Sequence, residues 1–268
     1  MISFNFDYYR PNTIEEAIKA YEKATGEGKS VIYFSGGTEI ISLSRAKQIH
    51  FNAVIDIKSI PECNVYELKS GNLEIGAAVS LTKICDYNKF PLMSSVCRRI
   101  AEHTARNMIT LGGNIFGRIP YKEALLPLIL TDSTGVIAGK NGISTKPLSD
   151  IFSTDPLLQG EEFLVKVTIN NDYIGLPYYH AKKTKQEKID YPLITIASIK
   201  TKEKLRIAFS GLCSHPFKVV SDLNDNARNV MSNIARPIVN DILGSAEYRR
   251  FVTNNVLTEM YERYGGVN

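Results

Sequence analysis

Apolar positions recur along this chain with two periods, and the alternation between them predicts its elements. Phe4 and Phe6 sit in a short extended segment. Ile14, Ala17, Ile18 and Tyr21 then repeat at helical spacing. Thr13 and Glu16 make a capping box, in which side chains satisfy the first N–H groups of that helix. Gly26 and Gly28 close it. The run Val31-Ile32-Tyr33-Phe34 is β-branched and aromatic, so it predicts a buried strand leading into Gly36-Gly37. A helix around Glu39 to Ala46 and a strand at Val54-Ile55-Asp56-Ile57 complete a β–α–β-like opening. This places the first glycine pair at the C-terminal end of a strand, where α/β folds bind ligands.

Further on, Leu73 to Ala78 reads as a strand, Leu81 to Asn88 as a short helix and Leu92 to His103 as a longer one. Tyr121 to Leu130 is helical; Val136 to Ala138 and Phe163 to Ile169 are strands; Pro147 to Phe152 is a turn with two apolar anchors. From Pro177 the order changes. Tyr178 to Lys182, Leu193 to Ile199 and Leu205 to Leu212 predict three successive strands, followed by helices from Val219 to Ile234 and from Val239 onward. Strands first and helices after mark a separate α+β unit. The expected domains are residues 1–57, 58–171 and 172–268.

The 268 residues, 44% hydrophobic and 22% charged, are ordinary for a globular chain. A net charge of +4 with dispersed basic residues does not imply nucleic acid, which needs a concentrated basic face. No apolar run approaches the roughly 18 residues of a membrane span. The N-terminus lacks the basic and apolar regions of a secretion signal, so a cytoplasmic protein is expected. Cys63, Cys85, Cys97 and Cys213 fit neither a zinc nor an iron–sulfur spacing and are expected to be buried free thiols. No G-x-S-x-G supports a nucleophilic serine at any of the four histidines, and neither a Rossmann fingerprint nor a Walker lysine is present.

The chemistry-bearing feature is a repeated glycine pair. Ser35-Gly36-Gly37-Thr38-Glu39 is echoed by Thr110-Leu111-Gly112-Gly113-Asn114. Consecutive free N–H groups in such turns form anion-cradling nests. Two of them suggest one diphosphate gripped from both sides; taken singly, each also reads as an ordinary turn. Glu39 and Glu123 read equally as solvated or capping carboxylates and as acceptors for ribose hydroxyls or a cofactor ring.

Several motifs occur in a fixed order. They are Tyr9-x-Pro11-x-Thr13-x-x-Glu16-Ala17, the Ser35 to Glu39 loop, Ile75-Gly76-Ala77, and Arg106-Asn107-x-x-Thr110-x-Gly112-Gly113-Asn114. Over almost its whole length the chain resembles the FAD-binding medium subunit of the molybdenum hydroxylases, the xanthine dehydrogenase and carbon monoxide dehydrogenase type. The resemblance implies an α+β fold. Two α/β FAD-binding subdomains are followed by a C-terminal three-stranded antiparallel sheet with helices. It implies a cofactor site made of Tyr33, Phe34, Ser35, Gly36, Gly37, Thr38, Glu39 and Ile40, with Thr110, Leu111, Gly112, Gly113 and Asn114, both loops gripping the diphosphate through backbone N–H groups. Ile100 stands near the flavin, Glu123 near a ribose, Leu164 on the adenine, and Lys182 near the flavin or an NAD site. Glu123 replaces the commoner aspartate, and Gln186 and Glu187 stand where the family often has an arginine.

The implied activity is an oxidoreductase relay. Electrons arrive from 2Fe-2S clusters on one partner subunit, having left the substrate on a molybdenum-cofactor subunit, and pass from FAD to NAD⁺ or another acceptor. The chain itself carries neither cluster nor molybdenum motifs, so it is expected to work in a hetero-oligomer. Two rival readings stand beside this one: a stand-alone FAD-dependent oxidoreductase, and a flavin-free structural subunit.

Overall fold

In the computed structural model, which describes residues 2–152, 158, 160–186 and 189–265, strands and helices interleave up to Asn170, after which four strands run consecutively before the last helices. Glu187 lies outside the described residues. In chain order the elements begin with β1 (Asp7–Tyr9), α1 (Ile14–Gly26), β2 (Val31–Phe34), α2 (Thr38–Arg45) and β3 (Ala53–Asp56). Next come β4 (Tyr66–Lys69), β5 (Asn72–Gly76), α3 (Leu81–Tyr87), α4 (Pro91–Cys97), α5 (His103–Met108), α6 (Leu111–Phe116) and α7 (Leu125–Leu130). Then follow β6 (Thr134–Gly139), β7 (Gly142–Pro147), α8 (Leu148–Ile151) and β8 (Phe163–Asn170). The last are β9 (Tyr178–Thr184), β10 (Pro192–Lys200), β11 (Lys204–Ser210), β12 (Phe217–Asp222), α9 (Ala227–Ser232) and α10 (Ala246–Gly265).

These elements form two compact units. One comprises residues 1–84, 103–118 and 132–171; the other comprises 85–102, 119–131 and 172–268. The first unit holds two sheets. A parallel sheet has the order β1-β3-β2, with Asp7 opposite Ala53 and Phe34 opposite Asp56. Its central strand β3 is buried along its whole length, as a parallel strand covered on both faces must be. Helix α1 starts as its sequence requires: Thr13 accepts from the Glu16 N–H at 3.1 Å, and Glu16 accepts from the Asn12 N–H at 2.7 Å. The second sheet is antiparallel, in the order β4-β5-β8-β6-β7.

The second unit is built on an antiparallel sheet of order β12-β11-β10-β9. One face buries Tyr179, Ile194, Ile196, Ile207 and Phe209 with Val230, Val256, Leu257 and Met260 of α9 and α10. Arg249, fully buried in α10, donates to the carbonyls of Leu193 and Gly211 and pairs with Asp241 at 2.6 Å.

Two expectations are corrected, and two strands appear that were not expected. The helix expected over Leu92 to His103 is interrupted: α4 ends at Cys97, and Ala101 takes φ +50°, which a right-handed helix excludes. The segment from Phe217 to Asp222 is a fourth, edge strand of the C-terminal sheet, not the start of a helix. Its inward Phe217 and Ser221 face the core while Val220 stays exposed, so its period is two. The strands β4 and β7 went unpredicted; β7 is exposed at all six positions and carries no hydrophobic period.

Candidate functional site

The first glycine pair follows directly from the end of β2. Gly37 takes φ +72° and caps α2 with no side-chain hydrogen bond. The first N–H groups of a helix have no intrahelical acceptor. Here, among the described residues, none accepts from the N–H of Gly36, Gly37 or Thr38. The Ser35 hydroxyl is buried and likewise without a partner. A left-handed glycine followed by a helix start turns successive N–H groups toward one point, which is an anion nest.

Both glycines are required for steric reasons. A Cβ on Gly36 would overlap the Met108 carbonyl oxygen and lie 3.2 Å from the Thr110 nitrogen. A Cβ on Gly37 would overlap the Phe34 ring. Tyr33, one residue before Phe34, stacks between Tyr21 and Phe163, at centroid distances of 5.3 and 4.6 Å, and donates its hydroxyl to the Glu161 carbonyl at 3.1 Å. Burial raises the Tyr33 phenol, the carboxylate of Glu161 adding to this, so it remains protonated. Glu39 Oε2 accepts from the Arg118 N–H at 2.8 Å, joining α2 to the segment after α6. Thr38 is exposed and Ile40 half-buried.

The second glycine pair, whose N–H groups were also expected to grip an anion, is built differently. Gly112 and Gly113 lie inside α6, whose N-cap Thr110 accepts from the Gly113 N–H at 3.2 Å. The Leu111 N–H donates to Val79 O and the Gly112 N–H to Ala77 O, each at 2.9 Å, and the Asn114 N–H donates to Thr110 O. All four donors are engaged within the unit. Gly112 is small because a Cβ would meet the Ala77 Cβ at 2.9 Å. The structure does bring this segment beside the first loop, through the Met108 carbonyl packed on Gly36.

Leu164, on β8, is buried opposite Ile137 and packs over Gly135. The remaining candidates belong to the second unit. Ile100 is buried just after α4. Lys182, on β9, pairs with Glu123 at 2.9 Å and donates to the Arg99 carbonyl at 2.9 Å; Thr195 donates to the other Glu123 oxygen at 2.7 Å. Both ionic groups are buried. Burial pushes the Glu123 carboxyl up, against the pull of Lys182, Thr195 and Arg99. His180, two residues before Lys182, contacts Ser95 Oγ through Nδ1 at 3.1 Å, while its Nε2 is buried without a partner. Burial, then Arg99 and Lys182, lowers His180 to about 4.

The sequence reading missed Lys58 and Asp56. Asp56 is the one charged residue of β3 and is buried, a signal visible in Ala53-Val54-Ile55-Asp56. Its carboxylate accepts from the Tyr8 hydroxyl, from the Lys58 N–H at 2.9 Å and from Lys58 Nζ at 2.7 Å. All four cysteines are buried free thiols, and burial, with Glu62 adding, raises Cys63 to about 12.

Comparison with known proteins agrees with this geometry. A family described as the FAD binding domain in molybdopterin dehydrogenase matches residues 4–171. The glyceraldehyde dehydrogenase medium chain of Sulfolobus acidocaldarius is 28% identical over 285 residues, covering 94% of this chain and 95% of the relative. The carbon monoxide dehydrogenase medium chain of Hydrogenophaga pseudoflava is 24% identical over 175 residues, 63% of this chain and 60% of the relative. Among solved structures, quinoline 2-oxidoreductase from Pseudomonas putida 86 superposes with TM-score 0.83 at 20% identity over 97% of each chain. Carbon monoxide dehydrogenase from Hydrogenophaga pseudoflava gives TM-score 0.83 at 19% identity, over 97% of this chain and 96% of that one. These superpositions bear out the α+β fold class. The motif resemblance is borne out too: the chain belongs to the family of FAD-binding domains of molybdopterin dehydrogenases.

Proposed function

We propose that this chain is the FAD-carrying subunit of a multisubunit molybdenum-containing dehydrogenase, and that its first glycine loop receives the FAD diphosphate. The carrying observation is the set of acceptorless donors at Gly36, Gly37 and Thr38 beside the unpartnered Ser35 hydroxyl. Such a cradle suits an anion: each N–H to a phosphate oxygen makes a charge-assisted bond, stronger than its neutral counterpart. Bound FAD supplies the redox chemistry.

The chain's own residues bind and orient. Ser35 to Thr38 hold the diphosphate. Tyr33, Phe34, Glu39 and Ile40 shape the loop around it, and Thr110 to Asn114 form the rigid wall on which that loop rests. Leu164 of the same unit is a further proposed contact; Ile100, Glu123 and Lys182 are proposed contacts within the second unit. The buried Glu123–Lys182–Thr195 group presents a carboxylate and an ammonium already paired, an arrangement suited to holding shape rather than to moving a proton.

Two of the relatives are named as medium chains, and nicotinate dehydrogenase of Eubacterium barkeri, 23% identical over 178 residues, is named as an FAD-subunit. Medium-chain and FAD-subunit names support a subunit role; to this the reading adds a partner bearing the molybdenum cofactor, a partner bearing 2Fe-2S clusters, NAD⁺ or another acceptor downstream and a cytoplasmic location. Their names span glyceraldehyde, carbon monoxide and nicotinate, so the xanthine dehydrogenase-like reading fixes the reaction class and not the substrate. The test is co-purification from the native host under mild conditions. The reading predicts a complex containing molybdenum, iron and flavin, with no metal left on this chain after dissociation. A chain that purifies alone and oxidises a small substrate by itself would overturn it in favour of the stand-alone enzyme.

A further inference from the structure

We infer that Lys58 is a positioning residue for the anion-binding loop, aiming the Gly36 N–H by holding the carbonyl of the preceding peptide. This rests on the reading of that loop as the diphosphate site. The ammonium of Lys58 donates to the Ser35 carbonyl at 2.9 Å and to Asp56 Oδ2 at 2.7 Å, and lies 4.6 Å from the centroid of the Phe34 ring. It therefore touches the two residues immediately before the glycine pair.

The consequence follows from the peptide plane. In a trans peptide the C=O and N–H vectors point in opposite directions. Tying the Ser35 oxygen to Lys58 turns the Gly36 N–H away from it, leaving that N–H free to face an anion. A charged donor on the carbonyl also polarises the amide and strengthens its N–H as a donor, the cooperative effect seen in hydrogen-bond chains. The cation adds a favourable charge near the phosphates.

Lys58 is itself fixed. Asp56 is 2% exposed at the end of the central strand of the parallel sheet, and it binds both the backbone N–H and the ammonium of Lys58. Tyr8, from β1, donates its hydroxyl to the same carboxylate. Strands β1 and β3 thus meet at this carboxylate, and Lys58 links it to the end of β2. Phe34 completes the arrangement, with Lys58 near its ring and Gly37 packed against it.

The experiment uses the full chain, stripped of flavin, titrated with FAD and separately with ADP, which shares the diphosphate but lacks the flavin. Lys58→Met keeps the apolar stem and removes the donor; Lys58→Arg keeps a cationic donor. Lys58→Met is expected to weaken FAD and ADP alike, by about tenfold, the size of one lost charge-assisted bond at a partly exposed site. Lys58→Arg should recover most of that loss. Wild-type affinity in Lys58→Met overturns the inference, as does a loss that Lys58→Arg fails to recover. If the wild-type chain binds neither FAD nor ADP, the reading of the site itself fails, an outcome distinct from both.

Discussion

Replacing Gly37 by alanine separates the two glycine pairs. At φ +72° an L-residue pays a left-handed penalty of about 1–2 kcal/mol. The new Cβ would also overlap the Phe34 ring, with Cε1 3.0 Å away. Relieving it requires the ring to leave its place beside Lys58 and Gly37, and such overpacking costs about 1–3 kcal/mol. Together these give a loss of about 2–5 kcal/mol, a large share of a typical domain's stability. Gly113→Ala is the control. Its Cβ would meet only Thr110 Oγ1, at 3.0 Å, and alanine gains about 0.5–1 kcal/mol over glycine within a helix. A strained cap bond offsets part of that, so the net change should stay within about 1 kcal/mol. Urea unfolding of the full chain measures both, alongside flavin retained after desalting. Gly37→Ala should be destabilised and lose flavin, while Gly113→Ala keeps both. Equal damage from the two substitutions would refute the asymmetry between the loops.

Other outcomes follow from the second unit and the thiols. His180 is held near 4 in the fold against about 6.5 in an unfolded chain, so its contribution is present above pH 6.5 and is lost as pH falls toward 4. Between pH 7 and 4.5 the wild type should lose about 2–3 kcal/mol more than His180→Asn in urea unfolding; parallel curves would contradict this. Glu123→Gln leaves the buried Lys182 ammonium without its counter-charge and should cost about 3 kcal/mol. A shift below about 1 kcal/mol would show that Lys182 finds another partner. A thiol-specific disulfide reagent should label the four buried cysteines only after denaturant is added, and rapid labelling of the native chain would contradict their burial.

Local signals were legible in the sequence, and long-range ones were not. The Thr13 cap, the strand before Gly36 and the helix after Gly37 are set by residues a few positions apart, and all form, although the strand expected to be buried is half-buried at all four positions. The edge strand Phe217–Asp222 overlaps the helix expected from Val219, because Val219 and Val220 fit either period until a neighbouring strand selects one. The two glycine pairs look alike in sequence. What distinguishes them is whether carbonyls such as Ala77 O and Val79 O reach their N–H groups, which depends on chain segments some thirty positions upstream. Lys58 escapes a sequence reading for the same reason: its partners Phe34 and Ser35 lie at and just past the end of β2, over twenty positions upstream.

Residue-resolved amide hydrogen exchange, with and without FAD, tests the central claim most directly. Without FAD, the amides of Gly36, Gly37 and Thr38 should exchange fast, and those of Leu111 to Asn114 should already be protected by their internal bonds. Adding FAD should protect residues 36–38 and leave residues 111–114 unchanged. Protection appearing at 111–114, with 36–38 unaffected, would contradict the account.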